Sequence, residues 1–150
     1  MEDYIMPVTA PVKMRVMCAS SKPKIRTYAT ALGEAFKCLV NDVPPAYPCD
    51  KERLVIIVMS LKGDPSDKLR LFCGELNAQR AYNVALVVDN ETQTRGLKIV
   101  MDTLKEAGTN VVDNIYYVKA GLFSGSKISL DERTAIVKWA EDVISGLEKK

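Results

Sequence analysis

Leu54-Val-Ile-Ile-Val-Met59 is a continuous run of six apolar residues, and it constrains the architecture more than any other part of the sequence. A strand that is apolar on both faces is typical of a parallel sheet that helices cover on both sides. Further strands are predicted at Lys13–Ala19, Tyr82–Val88 and Val111–Val118, and a short edge strand fits around Cys38–Val43. We therefore place Leu54–Met59 at the centre of a parallel sheet.

Segments with apolar residues at helical spacing separate these strands. The first carries an apolar stripe from Ile25 to Leu39, and the second begins with Asp64-Pro65, an N-cap candidate followed by proline. The third ends at Gly108, and the last opens with the capping box Ser129–Glu132. Strands that alternate with helices predict a three-layer α/β/α sandwich built from right-handed crossovers.

The composition excludes several function classes. With 21 Lys and Arg against 19 Asp and Glu, the net charge of +2 gives no support for binding to nucleic acid or to a membrane surface. The sequence contains no histidine, which excludes Ser-His and Cys-His nucleophile pairs and therefore a histidine-dependent hydrolase. No catalytic residue is assigned from the sequence.

The length predicts the number of domains, and the cysteines and the N-terminal residues predict the compartment. We expect one domain over residues 1–150, with a loosely tied arm at 1–11. The four cysteines form no CxxC pair, so we predict no metal site and reduced, buried thiols. An acidic start without a secretory apolar run leads us to expect a cytoplasmic protein.

The loop after the first strand is the strongest candidate for a binding site. It leads into a helix, where backbone N–H groups and the helix dipole favour an anion. The candidate ligands of a phosphate are the hydroxyl and cationic side chains of this loop: Ser20, Ser21, Lys22, Lys24, Arg26 and Thr27. Because the loop has no glycine, an ordinary solvated basic loop stays open as the alternative.

The order of these elements resembles the flavodoxin-like family. The resemblance covers Val12–Leu147, and the segments that carry it are Ser20-Ser21, Gly63–Phe72, Asn83–Val88 and the last helix with Trp139-Ala140. It implies the sheet order 2-1-3-4-5, with the second strand short or missing. It also implies a flavoprotein, in which the FMN phosphate lies in the first loop and the isoalloxazine ring lies between the loops after the third and fourth strands.

By this resemblance, the residues that line the ring are Leu61, Lys62, Gly63, Asp89, Asn90 and Thr92. The sequence departs from the family pattern at Lys22-Pro23, where the family has Thr-Gly, and neither Ser60–Asp64 nor Asp89–Thr94 contains an aromatic residue. Two functions therefore stay open. One is an FMN-binding electron-transfer or oxidoreductase domain, and the alternative is a non-flavin member that acts as an anion-binding or protein-interaction module.

Two tyrosines near this loop have competing interpretations. Tyr28 fits the buried stripe of the first helix, and Tyr47, between prolines, is expected to fill a gap at the sheet edge rather than to cover the site. Leu61 is interpreted as a surface leucine that a ring could contact.

Electron transfer implies a redox partner protein, and the frequency of symmetric dimers favours a homodimer.

Overall fold

Strands and helices alternate along the chain in the computed structural model, which describes residues 12–61, 64–89, 94–118 and 127–148. The described strands are β1 (Met14–Ala19), β2 (Leu39–Asp42), β3 (Leu54–Met59), β4 (Asn83–Val88), β5 (Asn110–Val111) and β6 (Tyr116–Tyr117). The described helices are α1 (Pro23–Phe36), α2 (Asp67–Glu75), α3 (Thr94–Ala107) and α4 (Leu130–Glu148). The arm expected at 1–11 lies outside the described residues.

All described strands belong to one parallel sheet. Its order is β2-β1-β3-β4-β5, and β6 pairs with β4 next to β5. β3 lies at the centre and pairs with β1 along its whole length, from Met14↔Leu54 to Ala19↔Met59. The predicted sandwich and strand order are confirmed, and β2 is present as a short strand. Because the direction of winding reverses between β1 and β3, the carboxyl end of β1 lies where such sheets bind ligands.

The fifth position of the sheet is broken, so the prediction of one strand over Val111–Val118 is wrong. β4 advances three residues between the pairs Val84↔Val111 and Val87↔Tyr116, whereas the other segment advances five. The two extra residues form a bulge. Trp139 Nε1 donates a hydrogen bond to the backbone oxygen of Asn114 (3.0 Å), so a contact with α4 holds the bulge.

Each face of the sheet is covered by two helices. α1 and α4 pack on one face and α2 and α3 on the other, and all six side chains of β3 are buried between them. The predicted apolar stripe of α4 is buried as expected and comprises Ile136, Trp139, Ala140, Val143, Ile144 and Leu147. Tyr28 is likewise buried, as its core interpretation predicted.

Two helix ends differ from the sequence prediction. Lys37 adopts a left-handed conformation after Phe36, so α1 stops there, and Leu39 lies exposed in β2 instead of extending the helical stripe. α2 is capped by Ser66, whose Oγ accepts from the Leu69 N–H (3.2 Å), and not by Asp64. The Asp64 carboxylate instead accepts a hydrogen bond from Arg95 of α3 (2.8 Å).

Two glycines have a structural reason. A Cβ at Gly33 would clash with Val40 Cγ2, so glycine at this position lets α1 approach β2 closely. Gly108 has φ of 111°, a left-handed conformation that glycine adopts without strain, and it ends α3 as the sequence predicted.

Candidate functional site

The loop between β1 and α1 turns tightly at the carboxyl edge of the sheet. The Ser20 Oγ accepts a hydrogen bond from the Lys22 N–H (3.0 Å). Pro23 begins α1, and its lack of an N–H costs no hydrogen bond there, because the first N–H groups of a helix have no partner within the helix. Ser20 is half-buried and Ser21 is exposed. Both hydroxyl groups therefore lie at the edge where the sheet opens to solvent.

A buried carboxylate joins three loops at this edge. Asp89 directly follows β4, and its side chain is only 3% exposed. One carboxylate oxygen lies 2.7 Å from Lys22 Nζ and 2.5 Å from Ser60 Oγ. The other accepts a hydrogen bond from the Leu61 N–H (3.2 Å). We call Lys22, Ser60 and Asp89 the carboxyl-end cluster, because they connect the loops after β1, β3 and β4.

The structure places Lys24 away from this cluster. Its Nζ lies 3.1 Å from Glu132 Oε2, at the start of α4. Glu132 also completes the predicted capping box, since its carboxylate accepts from the Ser129 N–H (2.7 Å) and the Ser129 Oγ accepts from the Glu132 N–H (3.0 Å). The Ser129 N–H and the Lys24 ammonium lower the pKa of Glu132. Burial, together with this nearby carboxylate, raises the pKa of Tyr28.

The other predicted phosphate ligands are engaged locally. Arg26 Nη1 lies 2.9 Å from Asp42 Oδ1, in an ion pair between exposed side chains, and also donates to the Ser20 backbone oxygen (3.2 Å). The Thr27 hydroxyl donates to the Pro23 backbone oxygen within α1 (2.9 Å). Lys62, Gly63, Asn90 and Thr92 lie outside the described residues. The structure thus brings together Ser20, Ser21, Lys22, Leu61 and Asp89 from the predicted set.

A cleft of about 340 Å³ opens beside the first loop. Its lining includes Ser20-Ser21 and Arg26 from the first loop and α1, Asp42-Val43 from the end of β2, and Ser66 and Lys68 from the start of α2. It therefore lies on the β2 side of β1, and not between the loops after β3 and β4. Cys18 also lines the cleft, and burial raises the pKa of its thiol, which favours the protonated form.

Two interpretations from the sequence are wrong at the side-chain level. Leu61 is buried in the core beneath α2 and α3, so its side chain does not lie on the surface. Tyr47 is 80% exposed and fills no gap in the sheet edge. Its backbone oxygen accepts a hydrogen bond from Arg15 Nη1 (2.7 Å), which fixes the main chain while the ring points outward.

The sequence reasoning did not find Ser60, or the connecting role of Asp89. A usable signal was present, because both residues directly follow apolar strands that the sequence places next to each other. The carboxyl ends of neighbouring parallel strands meet at one edge, so a hydroxyl and a carboxylate there are expected to approach each other.

Three further observations concern the state of the thiols, metal ligands and membrane spans. All four cysteines are free thiols, and burial raises the pKa of Cys73 to about 12 and that of Cys38 to about 11. Among the residues that the structure describes, no three Cys, Asp or Glu side chains gather as metal ligands. None of the described helices combines the length and the apolar character that crossing a membrane requires.

Comparison with known proteins gives one kind of match. No protein-family model and no curated protein matches the sequence. Among solved structures, the chain is similar to a flavodoxin of Streptococcus pneumonia TIGR4, with a TM-score of 0.59 and 12% sequence identity. The match covers 89% of this chain and 98% of that one.

Proposed function

We propose that this chain, which has a flavodoxin-like fold, binds FMN at the carboxyl edge of the sheet and transfers electrons to or from a redox partner protein. The observation that carries the proposal is the carboxyl-end cluster. Through Asp89 it ties together the loops after β1, β3 and β4. These are the loops that, by the family resemblance, hold the phosphate and the ring.

The first loop fits the phosphate end of FMN through three residues. Ser20 Oγ accepts from the Lys22 N–H, which leaves its own proton to donate to a phosphate oxygen, and Ser21 and Lys22 add a hydroxyl and an ammonium group. Lys24 is directed to Glu132 on the α4 side and is left out of this assignment. Backbone around Leu61 and Asp89 would line the ring. When bound, the flavin supplies the redox chemistry, and the protein supplies position and charge.

A flavin titration with matched variants tests this function. The purified protein is examined by visible absorption, and FMN fluorescence is then followed as the protein is added. We expect saturable quenching that weakens about tenfold in Lys22→Ala, because one charge-assisted phosphate contact is lost. Lys24→Ala, the matched control from the same helix turn, should bind FMN within about twofold of the unmodified chain. Unchanged FMN fluorescence at high micromolar protein would contradict the proposal.

Specific observations also favour the alternative, an anion-binding or protein-interaction module without flavin. The sequence offers no aromatic residue in the loops directly after β3 and β4 that could stack on a flavin ring. The cleft of about 340 Å³ lies on the β2 side of β1 and falls within the range of about 300–1,000 Å³ that is typical of ligand pockets. A rise in melting temperature with inorganic phosphate, but not with FMN, would select this alternative.

A further inference from the structure

The carboxyl-end cluster contains an asymmetric ion pair. Asp89 is almost wholly buried, whereas the side chain of its partner Lys22 is 37% exposed. The Lys22 side chain is therefore partly open to solvent at the first loop, while the carboxylate that it pairs with is not. Any anion that approaches the loop meets a cation that already has a counter-charge.

We propose that Asp89 is a built-in competitor for anions at the first loop, and that it sets the affinity of this loop for phosphate groups. Lys22 Nζ lies 2.7 Å from the Asp89 carboxylate, so a phosphate group that contacts the same ammonium would come close to a buried negative charge. Binding of the phosphate group is therefore either weakened by this repulsion or accompanied by separation of Lys22 from Asp89. The inference rests on the proposed function only in placing an anion at this loop.

The surroundings of Asp89 make an exchange of Lys22 feasible. When Lys22 turns toward a ligand, the carboxylate keeps the hydroxyl of Ser60 (2.5 Å) and the N–H of Leu61 (3.2 Å). Hydrogen bonds to the charged form favour a carboxylate that has lost its counter-ion. Ser60 is therefore a positioning residue that holds Asp89 in place whether or not Lys22 is bound to it.

The other two ion pairs of this region do not have this arrangement. Arg26 and Asp42 are both exposed, so water and salt screen their interaction and an anion gains little from the removal of Asp42. Lys24 is directed to Glu132 on the α4 side. Of these three pairs, only Lys22 and Asp89 combine a buried carboxylate with a cation whose side chain is partly exposed. Asp42→Asn is therefore a matched control for Asp89→Asn, since each variant removes one carboxylate beside one loop cation.

The test compares the affinities of FMN and of inorganic phosphate, measured by fluorescence and by calorimetry, in the unmodified chain and in both variants. Asparagine preserves the shape of Asp89: its Oδ1 can still accept from the Leu61 N–H, and its amide NH2 group can donate to Ser60 Oγ in place of the second carboxylate oxygen. We expect Asp89→Asn to bind both probes about tenfold more tightly and Asp42→Asn to stay within about twofold. Because Asp42 lines the cleft on the β2 side of β1, a gain of similar size in Asp42→Asn would place the anion in that cleft and overturn the inference. Adding Lys22→Ala to Asp89→Asn should abolish the gain, because the released ammonium is its source.

The outcomes separate this inference from the proposed function. If the unmodified chain binds FMN and Asp89→Asn binds neither probe more tightly, the inference is wrong and the function stands. If Asp89→Asn gains affinity for phosphate but no variant binds FMN, the inference stands and the function is wrong. If no variant binds either probe, both are wrong.

Ser60→Ala provides a second test, which does not depend on the folding of Asp89→Asn. Without the hydroxyl group, the carboxylate relies more strongly on Lys22, so we expect affinity for phosphate to fall about threefold. An unchanged or increased affinity in Ser60→Ala would overturn the inference.

Discussion

Two ion pairs at opposite ends of the sheet differ in how deeply their cations are buried. At the amino end, Arg15 Nη2 lies 3.3 Å from Glu52 Oε2, and the two side chains are only 11% and 5% exposed. At the carboxyl end, Lys22 lies 2.7 Å from Asp89, but only the carboxylate is fully buried. The amino-end pair is a fixed connection between β1 and the start of β3. The carboxyl-end pair has a cation whose side chain is 37% exposed.

The largest expected effect is at the amino end. Glu52→Gln leaves the Arg15 guanidinium buried without a counter-charge, so we expect the free energy of unfolding to fall by about 3 kcal/mol. Urea denaturation measures the loss. In a double variant, Arg15→Met with Glu52→Gln, we expect more than half of the stability to return, since no buried charge is left unpaired. A loss below about 1 kcal/mol in Glu52→Gln would show that this pair is not desolvated.

The second prediction concerns the carboxyl-end pair. Lys22→Ala leaves Asp89 with its two hydrogen bonds and no cation, so we expect a loss of about 2 kcal/mol in the free energy of unfolding. Asp89→Asn should lose less than about 1 kcal/mol, because Lys22 then turns into water. The same denaturation series measures both. If Asp89→Asn lost as much stability as Glu52→Gln, the Lys22 ammonium would be as firmly held in the fold as the Arg15 guanidinium, and the expected difference between the two pairs would be absent.

The third prediction concerns Lys24 and Glu132, a pair with one partly exposed member. Because the Ser129 N–H and Lys24 lower the pKa of Glu132, its charge stabilises the fold above the unfolded pKa of about 4.3, and this contribution is lost as pH falls through the lower folded pKa. We expect Glu132→Gln to lose about 0.5–1 kcal/mol at neutral pH. Thermal melts from pH 7 to pH 3 should show this difference closing below about pH 4, and a difference that persists at pH 3 would contradict the assignment.

The smallest effect is expected for Arg26 and Asp42. Both side chains are exposed, so Asp42→Asn should change the free energy of unfolding by less than about 0.5 kcal/mol. The variant thus provides the baseline for the three buried or partly buried pairs. A larger loss in urea denaturation, particularly one that salt does not reduce, would place Asp42 among the structural residues of β2.

Much of the fold could be predicted because it follows from local patterns. Leu54–Met59 identifies the centre of the sheet, since a strand covered on both faces must be apolar throughout. Ser129–Glu132 identifies the start of α4, because both capping partners lie within one turn. The β-branched and aromatic residues of Val111–Val118 predict a strand on both sides of the break, and only Asp113-Asn114, residue types that strands disfavour, mark its position. The hydrogen bond that Trp139 of α4 donates to Asn114 joins segments 25 residues apart, so no local pattern reports it.

The candidate site was predicted less completely for a related reason. The sequence shows that Lys22 and Lys24 flank the start of a helix, but it does not show the direction in which each side chain leaves the helix. In the structure, Lys22 contacts Asp89, 67 residues away, and Lys24 contacts the start of α4. Their roles depend on contacts between distant segments, so the loop could be located from the sequence and its ion pairs could not.

The two faces of the sheet also differ in when they can be completed during synthesis. α2 and α3, which cover one face, follow each other along the chain, so this layer is available once Ala107 has left the ribosome. The other face needs α1 together with α4, an early helix and a late one. Until α4 emerges, the nascent chain exposes the apolar surface on which Trp139 and Ile144 later pack. Chaperones that bind nascent apolar segments are therefore expected to act on this face.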